Sequence, residues 1–495
     1  MTDAALSAGD RTRKVLAAGA WTMVERVVSQ AAQFVIFIVA ARVLGPAEFG
    51  VFALVSACAI LLLRASEVGW APYIMSWSGD ATVPQQVLGL ALLSGLAFGL
   101  IGAGAGLALP LAGLEDWIAP LVLLFALWVC LATASAAQKG VMIWQGRLRG
   151  SAMAEITGEV AGLIVAVTAL LWGWGVFALA FGRLAYQSVH LSISFGVTRL
   201  APRLGLKGTM LRELWTFSAQ IFVSRMIINL RLYLATFIIG GFLGPTAVGY
   251  YRAADRLVSA LSEVITVPAQ ILAWSLFRQA RDAAPARADG TPDLSGFQAQ
   301  ANVFYKMLAA VALPIFLWLI VMSEELITGL LSEEWAAATP LVAILALSRV
   351  FFLPGVATEP VMSIVGETRR LPLFTGIFFA ISAVVTLIGA NIGLYAVAWS
   401  QTLVSAFFVG ATAWLFARHA QIDWRGVLAA SSGLMLPLAL GVGTLLALDR
   451  TPHLAGVPDL VRAVGFGLIA AAVYVAVLAW RDPSLARRLR RGGKA

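Results

Sequence analysis

Four polar side chains share one face of the first long apolar segment. Thr22, Arg26, Gln30 and Gln33 fall within about 80° of one another at about 100° per residue, which puts a guanidinium in line with three hydrogen-bonding groups. A later apolar segment repeats the arrangement, with Ser218, Arg225, Asn229 and Thr236 inside about 40°. An arginine at the centre of a membrane helix costs about 2.5–3.5 kcal/mol on insertion scales. Such residues face a bundle interior or a wet cavity rather than lipid. A guanidinium in that setting offers bidentate bonds to phosphate oxygens, so the chemistry these residues point to is capture of an anion bearing phosphate or pyrophosphate.

Further basic groups lie at comparable depth: Arg183, Arg231, Arg252, Arg256, Lys306 and Arg349. Acidic groups are fewer, namely Glu25, Glu155, Glu159, Asp255 and Glu263. Arg252 and Asp255 stand at i,i+3 and form a local pair, Arg256 shares a face with Glu263, and Lys306 near the end of its segment suits snorkelling. The remaining excess is positive, and the expected cavity residues are Arg26, Arg225, Gln30, Asn229, Arg183, Arg256 and Arg349. A carboxylate whose occupancy changes between states would serve ion coupling, for which Glu25 and Glu159 are the candidates. His190 could titrate, but a single histidine in an apolar helix reads as structural.

The elements that must position these groups are membrane helices. A hydrophobic fraction of 60 %, 12 % charged residues and a mean hydropathy of +0.87 lie far outside the range of soluble domains. Apolar runs long enough for a ~30 Å hydrocarbon core occur near 16–43, 47–64, 84–109, 117–138, 152–172, 174–198, 214–241, 247–274, 301–322, 336–357, 371–390, 392–417, 427–448 and 460–480. The expected fold is therefore an all-α polytopic membrane protein of about 14 transmembrane helices. Glycine-rich helices (Gly95, Gly99, Gly102, Gly104 and Gly106 in the third) and mid-helix prolines (Pro268, Pro314, Pro354) suit close packing and bending. Cys58 and Cys130 read as small buried core residues.

Lys and Arg gather on one side when the N-terminus is placed inside: Arg11, Arg13, Lys14, Arg64, Lys139, Arg147, Arg149, Arg199, Arg203 and Lys207 in the first half, with Arg487, Arg488, Arg490 and Arg491 near the end. Acidic pairs such as Glu115/Asp116, Glu324/Glu325 and Glu333/Glu334 fall on the other side. This asymmetry predicts both termini in the cytoplasm. The net charge of +9 is accounted for by that leaflet and needs no nucleic-acid partner.

Leu44, Gly45, Pro46 and Gly50 reappear as Leu243, Gly244, Pro245 and Gly249, each set following one of the two arginine-bearing helices. Six spans precede the second copy, so the repeat is parallel, and parallel repeats place a substrate site between two bundles. The expected organisation is an N-terminal segment 1–15, an N-lobe 16–198, a basic cytoplasmic linker 199–213, a C-lobe 214–417, a helix pair 427–480 and a basic tail 481–495. No HExxH, CxxC, P-loop or GxSxG motif is present, and the run GLIGAGAG at 99–106 lacks a preceding strand, so neither enzyme, metal nor cofactor is expected.

The pattern WTMVERVVSQAAQFVIFIVAARVLGPAEFGVFAL, the later GPTAVGYYRAADRL and the fourteen-helix layout resemble the polysaccharide transporter family of Wzx-type lipid-linked oligosaccharide flippases, within the multidrug/oligosaccharidyl-lipid/polysaccharide exporter superfamily. The resemblance implies two six-helix lobes around a V-shaped cavity that opens alternately to either side of the bacterial inner membrane. It implies as cargo an undecaprenyl-pyrophosphate oligosaccharide for exopolysaccharide, capsule or O-antigen synthesis, with cavity arginines such as Arg26 and Arg225 on the pyrophosphate. It also implies that the last helix pair shelters the prenyl tail, and that membrane lipids, a polysaccharide polymerase and chain-length machinery are partners. A cation-coupled multidrug exporter of the same fold remains open, although its cavity should be acidic or aromatic. A polysaccharide polymerase or ligase would need a sizeable outer loop, and none exceeds about fifteen residues.

Overall fold

The computed structural model describes residues 8–113, 115–205, 208–283, 294–451, 456–483 and 485. Most of the N-terminal segment 1–15, the basic tail and part of the polar loop at 277–300 therefore lie outside the described residues or carry no described side chains. Among the described residues every regular element is a helix. That follows from the solvent: in hydrocarbon each backbone N–H and C=O must be satisfied within the segment.

The chain forms two compact units, Met1–Phe237 and Ile238–Ala495, the division falling inside a helix. The first holds α1 (Ala8–Val43), α2 (Pro46–Glu67), α3 (Trp70–Ser76), α4 (Thr82–Ala108), α5 (Ile118–Trp144), α6 (Leu148–Leu171), α7 (Phe177–Thr198) and the opening of α8 (Gly208–Ala283). The second holds the rest of α8 with α9 (Ser295–Val321), α10 (Ser323–Leu330), α11 (Thr339–Phe352), α12 (Thr358–Val365), α13 (Arg370–Ile392), α14 (Leu394–His419), α15 (Trp424–Ser431), α16 (Met435–Asp449) and α17 (Asp459–Arg481).

Twelve helices are long and apolar enough to cross a membrane among the described residues, against the fourteen expected. Two places account for the difference. The expected spans 214–241 and 247–274 form one stretch, Arg225–Ala283, and the helix Phe177–Thr198 is not among the twelve because Arg183, Gln187 and His190 interrupt its apolar run. The stretch is not uniformly helical: at Gly244 the backbone turns to φ 81°, ψ 177°. The expected bend at Pro354 is also present, where a short 3-10 turn separates α11 from α12.

Small residues set the helix spacing in the first unit. Gly95, Gly99, Gly102 and Gly106 are buried on one face of α4, and a Cβ on Gly95, Gly99 or Gly106 would press on Cys130, Ala126 or Val122 of α5. Gly158 and Gly162 of α6 lie against Tyr186 and Gly182 of α7 in the same way. Packing in membranes relies on such close approach because lipid supplies no hydrophobic drive between helices. The outer faces are apolar and open, as at Leu93, Leu96 and Leu100 of α4 and Leu387, Ile388 and Ile392 of α13. Cys58 belongs to this outer surface, contrary to the expectation of a buried core residue, while Cys130 is half-buried.

Candidate functional site

In α1 the polar stripe divides. Arg26 is exposed and has no hydrogen-bond or ion-pair partner among the described residues. One turn on, Gln30 is half-buried and engaged, and Gln33 donates from Nε2 to Glu159 Oε1 of α6 at 3.0 Å. The side chain of Thr22 lies outside the described residues. The residue before Arg26 points elsewhere: Glu25 accepts from Lys139 Nζ of α5 at 3.1 Å. Both acidic candidates for ion coupling, Glu25 and Glu159, are thus held by partners on neighbouring helices.

The opening of α8 carries the matching stripe, though not as one wet face. Ser218 and Thr236 are fully buried, whereas Arg225 and Asn229 between them are half-exposed. Arg225 Nη1 stands 3.8 Å from Glu67 Oε2 at the end of α2, with 40 % of its side chain open. That carboxylate is held more closely by Arg64, at 2.7 Å. Asn229 Nδ2 donates to the Arg225 carbonyl at 2.8 Å.

The other predicted basic residues fall in both units. Arg183 of α7 is exposed, its guanidinium 5.7 Å from the ring centre of Trp128, within cation–π range. In the second unit Asp255 serves two arginines, Arg252 at 3.3 Å and Arg349 at 3.2 Å, and Arg349 also donates to Ser259 at 3.0 Å. Arg256 and Glu263 on the same helix are each partnered. Lys306 does not snorkel freely: its ammonium is 2.6 Å from Asp482.

Reading spans from apolar runs missed one multiply bonded cluster. Lys139 was expected in a connection, yet α5 continues to Trp144 because Val141, Met142 and Ile143 extend its apolar run. Its ammonium lies between Glu25 and Glu155, and Glu155 also accepts from Tyr186 Oη at 2.7 Å. The signal available was the apolar sequence after Lys139; the partners, on three other helices, left none. Among the described residues no group of three or more His, Cys, Asp or Glu is placed to hold a metal ion.

An apolar groove of about 670 Å³ lies in the second unit, where Pro314 and Trp318 of α9 face Leu438 and Val442 of α16 and Leu468 and Val475 of α17.

Residues 39–340 match the family model described as polysaccharide biosynthesis protein. The chain belongs to that family. Across 476 residues it is 23 % identical to the succinoglycan biosynthesis transport protein ExoT of Rhizobium meliloti (strain 1021), covering 95 % of this chain and 93 % of ExoT. The teichuronic acid biosynthesis protein TuaB of Bacillus subtilis (strain 168) is 26 % identical over 216 residues, 42 % of this chain and 41 % of TuaB. Among solved structures, the lipid II flippase MurJ in an inward closed conformation superposes with a TM-score of 0.71 at 12 % identity, over 95 % of this chain and 99 % of MurJ. An inward-facing multidrug resistance transporter of the MATE family, in the MOP superfamily, gives 0.60 at 15 % identity, over 83 % and 99 %. This family member therefore has the MOP fold, and the relatives of full length are named as transporters, not as enzymes.

Proposed function

We propose that this chain moves a polyprenyl-pyrophosphate-linked oligosaccharide across the bacterial inner membrane by alternating access, in exopolysaccharide, capsule or O-antigen synthesis. The observation that carries the reading is Arg26: a guanidinium within a candidate span, exposed and, among the described residues, unclaimed by any carboxylate. A charge in that position is retained at a cost, and an anionic headgroup is the partner that offsets it. Arg225, half-open beside Glu67, and Arg183, open over Trp128, are the next cations available to the same cargo. Arg256 and Arg349 take a lesser share, since Asp255 already holds Arg349; Gln30 and Asn229 supply hydrogen bonds. The groove along α9, α16 and α17 suits a prenyl chain, each buried CH₂ of which contributes about 0.8 kcal/mol.

The same reading takes the chain across the membrane fourteen times with both termini in the cytoplasm. Arg225–Ala283 runs for 59 residues, about 90 Å if straight at 1.5 Å per residue, too long for one ~30 Å core. Its break at Gly244 divides it into two crossings, and α7 lies with Arg183 toward water as the other.

Replacing Arg26 with Ala removes a charge-assisted contact of about 1.5–3 kcal/mol. Polymer output should fall at least about tenfold while the lipid-linked unit accumulates in the inner leaflet; Arg225→Ala should give a loss of about threefold. Polymer output at the wild-type level from both variants, at equal expression, would sink the pyrophosphate-binding role.

A further inference from the structure

Lys139 is the centre of a buried polar cluster that anion capture does not use. Its Nζ is 3.1 Å from Glu25 Oε1 on α1 and 2.9 Å from Glu155 Oε2 on α6. His190 Nε2 of α7 stands 3.4 Å from that same Glu155 oxygen and has no hydrogen-bond partner of good geometry, although the residue is only 2 % exposed. The other face of the ring meets Ser135 Oγ at Nδ1, and the second Glu155 oxygen accepts from Tyr186. The charged and titratable groups that face this point are Glu25 from α1, Lys139 from α5, Glu155 and Glu159 from α6, and Arg183, Tyr186 and His190 from α7. Of these Glu159 is engaged by Gln33, and Arg183 lies over Trp128.

Around Lys139 two carboxylates share one ammonium. With His190 neutral the inner cluster is one positive charge short of balance, in surroundings where an unbalanced charge is costly. A sodium ion would need a cage of oxygens, and the ammonium already occupies them. A proton needs only an acceptor, and an imidazole with an unbonded nitrogen beside a carboxylate is one.

We propose that His190, seated against Glu155, is a proton-binding site whose occupancy decides how firmly Lys139 ties α1 to α6. A proton taken up on His190 makes an imidazolium that competes with Lys139 for the Glu155 oxygen. Lys139 is then drawn toward Glu25, and the bridge through Lys139 from α1 to α6 loosens, while the Gln33–Glu159 bond still joins the two helices. The helix so loosened is the one that carries Arg26. The role of this latch in a transport cycle rests on the proposed function, whereas the latch itself can be tested without any cargo.

The test measures the distance between α1 and the far end of α6 in the full chain reconstituted in liposomes. Spin labels are attached through Val27→Cys and Leu171→Cys, at positions 63 % and 70 % exposed, with Cys58 and Cys130 replaced by Ala. Pulsed electron resonance then reads the distance distribution from about pH 8 to about pH 5, the range in which an imidazole titrates. The expected result is a second, longer distance that gains population as pH falls, and a distribution that no longer responds to pH in Glu155→Gln and in His190→Gln. A distribution unchanged by pH in the otherwise wild-type chain overturns the proposal. So does a wild-type pH response in either variant, or a shift that follows sodium at constant pH. If Glu155→Gln does not purify as a folded protein, His190→Gln decides, because it keeps Lys139 and both carboxylates in place. Failure of the cargo reading would show instead as normal polymer output from Arg26→Ala with the pH response intact.

Discussion

The two copies of the LGP turn share residues but not a backbone. At the first, Gly45 is extended, with φ −68° and ψ 163°, and caps α2 with Pro46 in its first turn. At the second, Gly244 has φ 81° and ψ 177°, a region that side chains enter only under strain. A Cβ would meet nothing within 4 Å at either place. The difference is therefore purely conformational: proline at N1 starts a helix equally well in both, but only the second copy depends on glycine. The helices leading into the turns differ as well. α1 is held by Lys139 between two carboxylates and leaves Arg26 open, whereas the opening of α8 is tied at Arg225 by a single 3.8 Å approach to Glu67. A sequence repeat thus marks a shared frame in which the anchoring has diverged.

The comparison breaks most severely at Lys139. Lys139→Met strands Glu25 and Glu155 without a cation, which should cost about 3 kcal/mol, the low end for a buried pair because the ammonium is partly open. Unfolding in mixed detergent micelles measures it, and a change below about 1 kcal/mol would mean that α1 is anchored some other way. Next comes the glycine contrast. Gly244→Ala should lose about 2 kcal/mol and Gly45→Ala about 0.5 kcal/mol or less; equal losses in the same assay would remove the distinction between the turns. The smallest effect on function belongs to Glu67→Gln, which should cost stability no more than about 1 kcal/mol, because its 2.7 Å bridge to Arg64 is to a partly exposed guanidinium one turn away and its tie to Arg225 is long. By unburdening Arg225 it should also keep polymer output at or above wild type, and a clear loss of output would show that Glu67 does more than hold Arg225.

Long apolar runs made the helices legible, since a span advertises itself in every residue of a window. The register of Arg26 and Arg225 was legible for the same reason, each lying on a periodic stripe. α7 is the borderline case: read as the span 174–198, it falls outside the twelve helices apolar enough to cross a membrane, because Arg183, Gln187 and His190 interrupt its run. The site was legible only where chemistry is local, as with Arg252 and Asp255 one turn apart. Lys139 meets a glutamate 114 positions away and another 16 away, and no spacing rule reaches such pairs. Gln33 looked like one more wet residue of a stripe, yet its amide is turned to Glu159, because a buried carboxylate must find donors wherever a neighbouring helix offers them.

The glycine seam between α4 and α5 bears on mechanics. Backbones brought so close behave as a single stiff strut, for neither can slide without driving a ridge of one helix into the carbonyls of the other. Bending in this unit must then be taken up away from that seam, where helices meet through side chains rather than through their backbones. A bulkier residue at Gly95 or Gly102 would therefore act as a wedge in the chassis, felt at a distance by whatever moves against it.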